Sequence, residues 1–340
     1  MIVPAVFAFA LAAVSGDSAL DARLDAAQST YRQIVARHPN ERAVLEGLAL
    51  EQRLTDDRAL LGEPIPDGYD AGDWNETLQT LVGLDVDLVD QLAGKPAAFG
   101  FEPGLREHIL RSGNDGVFDA VATYVPPEPK AVAFVLHGNP QTESNLLAQP
   151  FLRRLADETH TVLIAPYGRG SYDFRGPPTL DLYGLIGLVK ATPKLGPLHF
   201  YLAGYSMGGF TAYMLGPGAP VRWDGVLDIS GALVGSAAST VVKRWANTHI
   251  YVVHGQRDTS IPTQFAHDTV TYLFEAGLPV SYYEQPSAGH ALRTLFPSLR
   301  QAWLDMHAGV VRSAEAGRLA RDGMRALPSG AGPAARLDHP

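Results

Sequence analysis

The sequence contains no cysteine among its 340 residues. This absence excludes disulfide bonds, thiolate metal ligands and a cysteine nucleophile, and it is compatible with both the cytosol and an oxidising exterior. Basic residues are also few, since Lys and Arg number 27 against 36 Asp and Glu, and they form no basic block. An acidic chain with a formal charge of −9 repels phosphate backbones, so we expect no nucleic-acid partner.

Motifs that hold metals or nucleotides are missing as well. The 11 histidines are scattered without metal-ligand spacing, and no His-Glu-x-x-His motif occurs. Neither of the two common glycine-rich phosphate loops is present. We therefore predict no metal and no cofactor.

Hydrophobic residues make up 46% of the chain and charged residues 19%, which is the balance of a globular protein with a sizeable core.

An apolar run opens the chain at residues 1–16 and ends in small residues. It is too short to span a bilayer, but it is typical of a secretory signal peptide, although no Lys or Arg precedes it and Pro4 comes early. The alternative is an apolar first helix that packs on the body of the protein. We favour a secreted or periplasmic location over a cytoplasmic one, with both interpretations open.

Residues 17–111 have the pattern of a helical extension. Apolar residues recur at three- and four-residue steps with Asp, Arg and Gln between them, at Leu20, Leu24, Ala27, Tyr31 and Ile34. Further periodic stretches at 41–61 and 77–92 are separated from one another by Gly- and Pro-rich breakers. The extension carries no motif with chemical content, so we interpret it as a packing or cap domain.

Residues 112–310 alternate short β-rich runs with helical stretches. This alternation predicts an α/β fold, with a mainly parallel sheet, helices on both faces and a ligand site at the carboxyl ends of the strands. The first two strands, at 117–125 and 131–136, are expected to pair across the proline-rich turn between them. Further strands are predicted at 161–165, 199–203, 226–229, 250–253 and 280–283, and helices at 148–158, 180–190, 209–215 and 264–276. Residues 311–340 are predicted to form a C-terminal helix and a flexible tail.

The candidate nucleophile is Ser206, in the pentapeptide Gly204-Tyr205-Ser206-Met207-Gly208. A Gly-x-Ser-x-Gly match alone is weak, because the chain has 34 glycines. Its placement is the stronger argument, since it joins a predicted strand to a predicted helix. In such a turn the glycines prevent collisions between strand and helix, and the serine Oγ projects above the sheet.

A serine hydroxyl needs a base to take its proton. In a strand–helix fold of this kind the acid partner and the base follow the serine along the chain, in that order. Asp258 lies just beyond the predicted strand at 250–253, and His290 lies in the loop after the last predicted strand. We predict that His290 takes the proton of Ser206 and that Asp258 orients its imidazole. Asp228 is the rival acid, but its place inside an apolar run favours a buried structural role.

Four segments together resemble the signature set of the α/β-hydrolases. They are Leu136–Gly138, Gly204–Gly208, His254–Asp258 and Gly289-His290. They are most similar to esterases and to the relatives of prolyl oligopeptidase and dienelactone hydrolase. The resemblance covers about Val117 to Ala308 and leaves out the helical extension.

The resemblance implies an oxyanion hole built from two backbone N–H groups, those of Met207 and Asn139. Pro140 has no N–H and is excluded. His137 lies in the His-Gly turn, so we expect it to brace that loop and not to act as the base. His254 lies at a strand end just before Asp258, so we expect it to form hydrogen bonds within its turn.

The predicted function is the hydrolysis of small to medium acyl or aryl esters through an acyl-enzyme. Tyr167, Tyr172 and Tyr205 are candidate substrate-binding residues, with ordinary packing as the alternative. A peptidase of the prolyl-oligopeptidase type and a non-catalytic binding protein on the same scaffold remain open. The expected partner is a small-molecule ester, and the sequence implies no particular oligomeric state.

Overall fold

The computed structural model describes residues 6–94, 99–170, 174–234, 242–245 and 247–326, with backbone alone at 6–17 and 323–326. Eight strands form one sheet. They are β1 Gly104–Arg111, β2 Phe118–Val125, β3 Ala131–Leu136, β4 Thr161–Pro166, β5 His199–Tyr205, β6 Gly225–Ile229, β7 Ile250–Gly255 and β8 Val280–Gln285. Their spatial order is β1-β2-β4-β3-β5-β6-β7-β8. From β4 to β8 all neighbours are parallel, whereas β2 is antiparallel to both β1 and β4.

Helices cover both faces of the sheet. Within the described residues the α-helices are α1 Val6–Arg37, α2 Arg42–Glu46, α3 Leu50–Leu61, α4 Ala71–Leu92, α5 Glu143–Leu147, α6 Pro150–Thr159, α7 Pro177–Ala191, α8 Met207–Leu215, α9 Thr263–Glu275, α10 Phe296–Ala308 and α11 Ala314–Ala326. One core cluster joins the sheet to α7, α8, α9 and α11, and the opposite face packs against α5, α6 and α10. The predicted α/β fold with helices on both faces is confirmed.

Two predictions about the start of the sheet are wrong. Strand β1 lies at Gly104–Arg111, inside the segment 17–111 that we expected to be helical. It is an edge strand with polar buried residues, including His108, so it lacks the apolar alternation by which strands are recognised. Strand β2 pairs with β1 and β4 and not with β3, because β3 is wholly buried and occupies a central place between β4 and β5.

The periodic stretch 41–61 is two helices and not one. Helix α2 ends at Glu46, and α3 begins at Leu50 after Ala49 adopts a left-handed φ of 50°. A side chain at Gly47 would lie 2.1 Å from the carbonyl oxygen of Phe118, so only glycine allows this close approach to β2. The chain therefore turns where the helices meet the sheet.

A third core cluster lies between the N-terminal helices and the edge of the sheet. Leu20, Leu24, Ala27 and Tyr31 of α1 are buried in it, as their helical spacing predicts, and Ile34 is partly buried. Leucines of α3 and α4 complete the cluster. Burial of each such side chain contributes about 1.5–3 kcal/mol, so the N-terminal helices are firmly packed on the sheet.

The buried cation of Arg53 lies between the N-terminal helices and the rest of the molecule. Arg53 of α3 has a side chain that is 2% exposed, and its Nη1 lies 2.7 Å from Glu143 Oε1 and 3.2 Å from Asp85 Oδ1. Its Nε donates to the carbonyl of Leu48 at 2.8 Å. The guanidinium also lies 4.0 Å from the ring centroid of Tyr167. Arg53 thus ties the helical extension to α5 and to the loop after β4.

Two further carboxyl groups lie beside this cation. Burial and the nearby Asp85 raise the pKa of Asp57 to about 9. Burial and the nearby Glu143 also raise the pKa of Glu107. Asp57 therefore carries a proton at neutral pH. The ion pairs of Arg53 are those with Asp85 and Glu143.

We expect Arg53→Met to lower the free energy of unfolding by about 3–5 kcal/mol, because it leaves buried carboxylates without their cation. Arg42→Met is the matched control, since Arg42 pairs with Glu46 on the surface, where both side chains are more than half exposed. That control should cost less than about 1 kcal/mol. Urea denaturation of both variants measures the difference, and equal losses would contradict a structural role for the buried ion pairs.

Candidate active site

The turn between β5 and α8 holds Ser206 in a strained backbone conformation. Its φ is 53° and its ψ is −117°, a region that costs a non-glycine residue about 1–3 kcal/mol. A side chain at Gly204 would lie 2.1 Å from the carbonyl oxygen of Gly208, and one at Gly208 would lie 2.2 Å from that of Leu136. Both glycines are therefore required where strand, helix and β3 cross, and the turn presents Ser206 at the carboxyl end of the sheet.

Ser206, His290 and Asp258 form a chain of hydrogen bonds. His290 Nδ1 lies 2.7 Å from Asp258 Oδ2, and His290 Nε2 lies 2.9 Å from Ser206 Oγ. An ionised carboxylate only accepts hydrogen bonds, so the imidazole proton lies on Nδ1. Nε2 then accepts the proton of the serine hydroxyl, which is the arrangement a general base requires.

Asp258 is held in its ionised form. Its Oδ1 accepts the backbone N–H groups of Ser260 and Ile261, each at 2.9 Å. Burial of Asp258 opposes ionisation, but the hydrogen bonds from His290 and Ile261 outweigh it and lower the pKa of the carboxyl. His254 lies 3.5 Å from Asp258 and has its own hydrogen bond to the carbonyl of Ile261 at 2.8 Å, within the turn as the sequence predicts.

The two predicted oxyanion donors flank Ser206. Met207 is the first residue of α8, so its N–H has no partner within the helix. The loop after β3 runs against the turn, since a side chain at Gly138 would lie 3.1 Å from Ser206 Cβ. Asn139 follows Gly138 in that loop and is exposed. Both residues therefore lie at the same edge of the sheet as the serine.

The three candidate tyrosines occupy different environments. Tyr205 lines a cleft beside Ser206, and its hydroxyl donates to the carbonyl of His290 at 2.8 Å. Tyr167 instead lies beneath Arg53 and is 7% exposed, among the residues that pack against the N-terminal helices. Its surroundings match the packing alternative. Tyr172 lies outside the described residues.

His137 braces the loop that carries Asn139. One ring nitrogen lies 3.0 Å from the carbonyl oxygen of Gly138, and the other lies 2.9 Å from that of Tyr167. Burial lowers the pKa of His137, although the hydrogen bonds to the carbonyls of Gly138 and Tyr167 act in the opposite direction. The side chain links the loops after β3 and β4.

The rival acid Asp228 lies away from His290. Its Oδ1 accepts the N–H of Gly231 at 2.8 Å, and its Oδ2 accepts the hydroxyl of Tyr213 at 3.1 Å. Burial raises the pKa of Asp228 to about 7, although the hydrogen bonds from Tyr213 and Gly231 act in the opposite direction. Asp228 therefore supports the packing of α8 and the turn after β6.

Several residues of the site carried no signal in the sequence. The cleft beside Ser206 has a volume of about 640 Å³ and is walled on one side by the helical extension. Trp74, Tyr69 and Arg293 line it, yet none belongs to a recognisable motif. The proline- and glycine-rich segment at 62–68 indicated a loop, but nothing in its pattern indicated that the loop lines this cleft.

Neither a metal centre nor a membrane span is found within the ranges given above. No group of three or more His, Asp or Glu side chains among the described residues is placed to hold a metal ion. Within the same part of the chain, every helix is too short or too polar to cross a bilayer.

The sheet order, the antiparallel second strand and the turn at Ser206 define the α/β-hydrolase fold. No protein-family model matches the sequence, and no match is found among curated proteins. A solved ferulic acid esterase is similar, with a TM-score of 0.51 and 15% identity over 62% of this chain and 99% of that one.

Two further solved structures are similar over comparable shares of the chain. An S-formylglutathione hydrolase from Agrobacterium tumefaciens has a TM-score of 0.49 and 17% identity, over 63% of this chain and 98% of its own. A thermostable esterase has a TM-score of 0.49 and 19% identity, over 61% of this chain, and the match spans 63% of its own length. At 15% identity, the similarity to the ferulic acid esterase shows the fold alone.

We expect the free energy of unfolding of Asp228→Asn to increase, relative to that of the wild type, as pH rises. The folded pKa of Asp228, about 7, lies above its ordinary value of 3.8, so its contribution to stability is present at acid pH and is lost between about pH 4 and 7. Asparagine does not titrate and keeps an acceptor for Gly231. Urea denaturation at pH 5 and pH 8 measures this trend, and a difference that does not change with pH would contradict it.

Proposed function

We propose that this protein is a serine hydrolase that cleaves carboxylic esters through an acyl-enzyme, with Ser206 as nucleophile, His290 as base and Asp258 as its orienting acid. The observation that carries the proposal is the hydrogen-bonded chain of these three side chains on a strained strand-to-helix turn. Such strain persists where the surrounding structure holds the residue in place, and it exposes the serine Oγ to substrate.

The first half of the reaction forms the acyl-enzyme. Ser206 Oγ attacks the ester carbonyl while its proton passes to His290 Nε2. The carbonyl oxygen becomes an oxyanion, which the N–H groups of Met207 and Asn139 stabilise, and each such donor contributes about 3–4 kcal/mol. The imidazolium, stabilised by Asp258, then returns the proton to the leaving alkoxide as the carbon–oxygen bond breaks.

The second half restores the enzyme. Water loses a proton to His290 Nε2 and attacks the acyl carbonyl through the same oxyanion geometry. The bond to Ser206 Oγ breaks, and the serine recovers its proton from His290. The product is a carboxylic acid, so one water is consumed for each ester cleaved.

Two observations support esters as the substrate class. The solved protein with the same fold and a TM-score of 0.51 is named as an esterase. The described N-terminal region consists of the helices α1 to α4 and contains no propeller-like series of strands, so the feature that accompanies prolyl-oligopeptidase-type activity is not found there. Small to medium acyl or aryl esters fit a cleft of about 640 Å³.

We expect the wild type to be labelled by a fluorophosphonate and to hydrolyse p-nitrophenyl acetate, and Ser206→Ala to lose both properties. Asp258→Asn should lower kcat on the order of 10⁴-fold, because the imidazole loses the acceptor that holds its tautomer. Asp228→Asn is the control, and it should retain most of the activity, since Asp228 does not contact His290.

Three outcomes would contradict this assignment. An unlabelled wild type would exclude Ser206 as an activated nucleophile. A loss of activity in Asp228→Asn that matched the loss in Asp258→Asn would exclude the proposed acid. If the labelled protein cleaved peptide anilides but no ester, the assigned activity would be that of a peptidase and not that of an esterase.

A further inference from the structure

The cleft beside Ser206 lies between the helical extension and three loops of the candidate active site. Its floor and one wall include Pro140 and Gln141, which follow Asn139, and Tyr205, which precedes Ser206. Ala291, Leu292 and Arg293, which follow His290, also line it. The lining therefore includes residues next in the chain to Ser206, His290 and Asn139, although these three residues are not themselves part of it.

The opposite wall comes entirely from the extension. Helix α3, the connection to α4 and α4 itself supply this wall, which includes Ala59, Leu60, Tyr69 and Trp74. The four sequence segments that resemble the α/β-hydrolase signatures all lie after residue 135. The extension therefore shapes the cleft with residues outside those signatures.

Polar contacts hold this wall against the catalytic part of the molecule. Asp73, at the start of α4, lies 3.0 Å from Arg154 and 3.2 Å from Arg293. Glu76 pairs with Arg153 at 2.5 Å. The hydroxyl of Tyr69, which lies between α3 and α4, also donates to the side chain of Gln149. With Arg53 buried behind them, these contacts make the extension a fixed cover over the cleft.

The cleft is apolar inside and acidic at its mouth. Leu81, Leu146 and Leu292 are each less than 9% exposed and form its buried part, with Trp74 half-buried beside them. The exposed rim carries the side chains of Asp56, Glu63 and Asp67. Arg293, the cation in the lining, is paired with Asp73.

We propose that this cleft binds the apolar, uncharged arm of the ester, and that Ala59, Leu60 and Trp74 of the extension set the length of arm that is accepted. The proposal rests on the proposed function of Ser206. Apolar burial favours longer arms by roughly fourfold in kcat/KM per methylene until the cleft is filled. Carboxylates at the rim disfavour an arm that ends in a negative charge.

The length limit is tested by narrowing the cleft. Ala59→Trp places a large side chain on an exposed position of the lining, and Gln79→Trp places the same side chain on an exposed position of α4 outside it. We compare kcat/KM for p-nitrophenyl acetate to octanoate, and for acetate esters of alcohols of the same lengths. Ala59→Trp should lower the ratio of long to short esters at least tenfold in one series, and Gln79→Trp should leave both ratios as in the wild type.

Binding is also measured without turnover. The chain has four tryptophans, and Trp223, Trp245 and Trp303 are each no more than 3% exposed, whereas Trp74 lines the cleft. Methyl octanoate added to Ser206→Ala should change the tryptophan fluorescence in a saturable way. The additional substitution Trp74→Phe should remove most of that change.

The rim is tested with an anionic ester. The double variant Glu63→Gln and Asp67→Asn should raise kcat/KM for the p-nitrophenyl monoester of succinic acid several-fold relative to p-nitrophenyl butyrate. This gain should shrink at 1 M salt, where the Debye length falls to about 3 Å. A gain that is independent of salt would overturn the electrostatic part of the proposal.

Failure of the cleft proposal and failure of the proposed function give different results. If the wild type hydrolyses acetate and is labelled by fluorophosphonate, but Ala59→Trp leaves both length series unchanged, the cleft does not hold the arm and the hydrolase assignment stands. If methyl octanoate changes the fluorescence through Trp74 while no ester is hydrolysed, the cleft binds apolar ligands and the catalytic assignment falls. A fluorescence change that persists in Trp74→Phe overturns the site.

Discussion

The close approach of three backbone segments at Ser206 is the constraint on which the site depends. Strand β5, helix α8 and the end of β3 cross within a space that admits no side chain at Gly204 or Gly208. This crossing drives Ser206 into the left-handed region and brings the loop of Gly138 against its Cβ. The same crossing therefore places the proposed nucleophile beside the proposed oxyanion loop. The parallel strands β7 and β8 bring Asp258 and His290, the proposed acid and base, to the same edge of the sheet.

The helical extension depends on a second, electrostatic constraint. Arg53 is buried with carboxylates from its own side and from α5, so the extension and the α/β part share one desolvated ion-pair network. Such a network is costly to break by removal of one partner. Because Glu143 lies just after the oxyanion loop, packing of the extension and placement of that loop are linked. The extension thereby contributes both a support behind the site and a wall in front of it.

Sequence pattern identified strands β3 to β8 well and the first two strands of the sheet poorly. Strands β3 to β7 lie inside the sheet and are mostly apolar or β-branched, and the edge strand β8 begins with a buried run at 280–283, so composition reveals them. Strand β1 carries Glu107 and His108 in buried positions, where tertiary hydrogen bonds replace apolar contacts. The pairing of β2 was mispredicted because neighbours in a sheet need not be neighbours in the chain, and the turn at Pro126–Pro129 leads away from β2 to a central strand.

The sequence by itself determined the order of Ser206, Asp258 and His290 and their positions at the ends of strands. Glycine spacing and strand ends are local properties, and a parallel sheet brings such ends to one edge. Only the tertiary structure decided that Asp258 and not Asp228 contacts His290, that Tyr167 lies beneath Arg53, and that Trp74 faces the cleft. These choices depend on contacts between residues far apart in the chain. The pentapeptide Gly204–Gly208 was enough to predict the turn at Ser206. The surroundings of that turn depend on packing across the whole molecule.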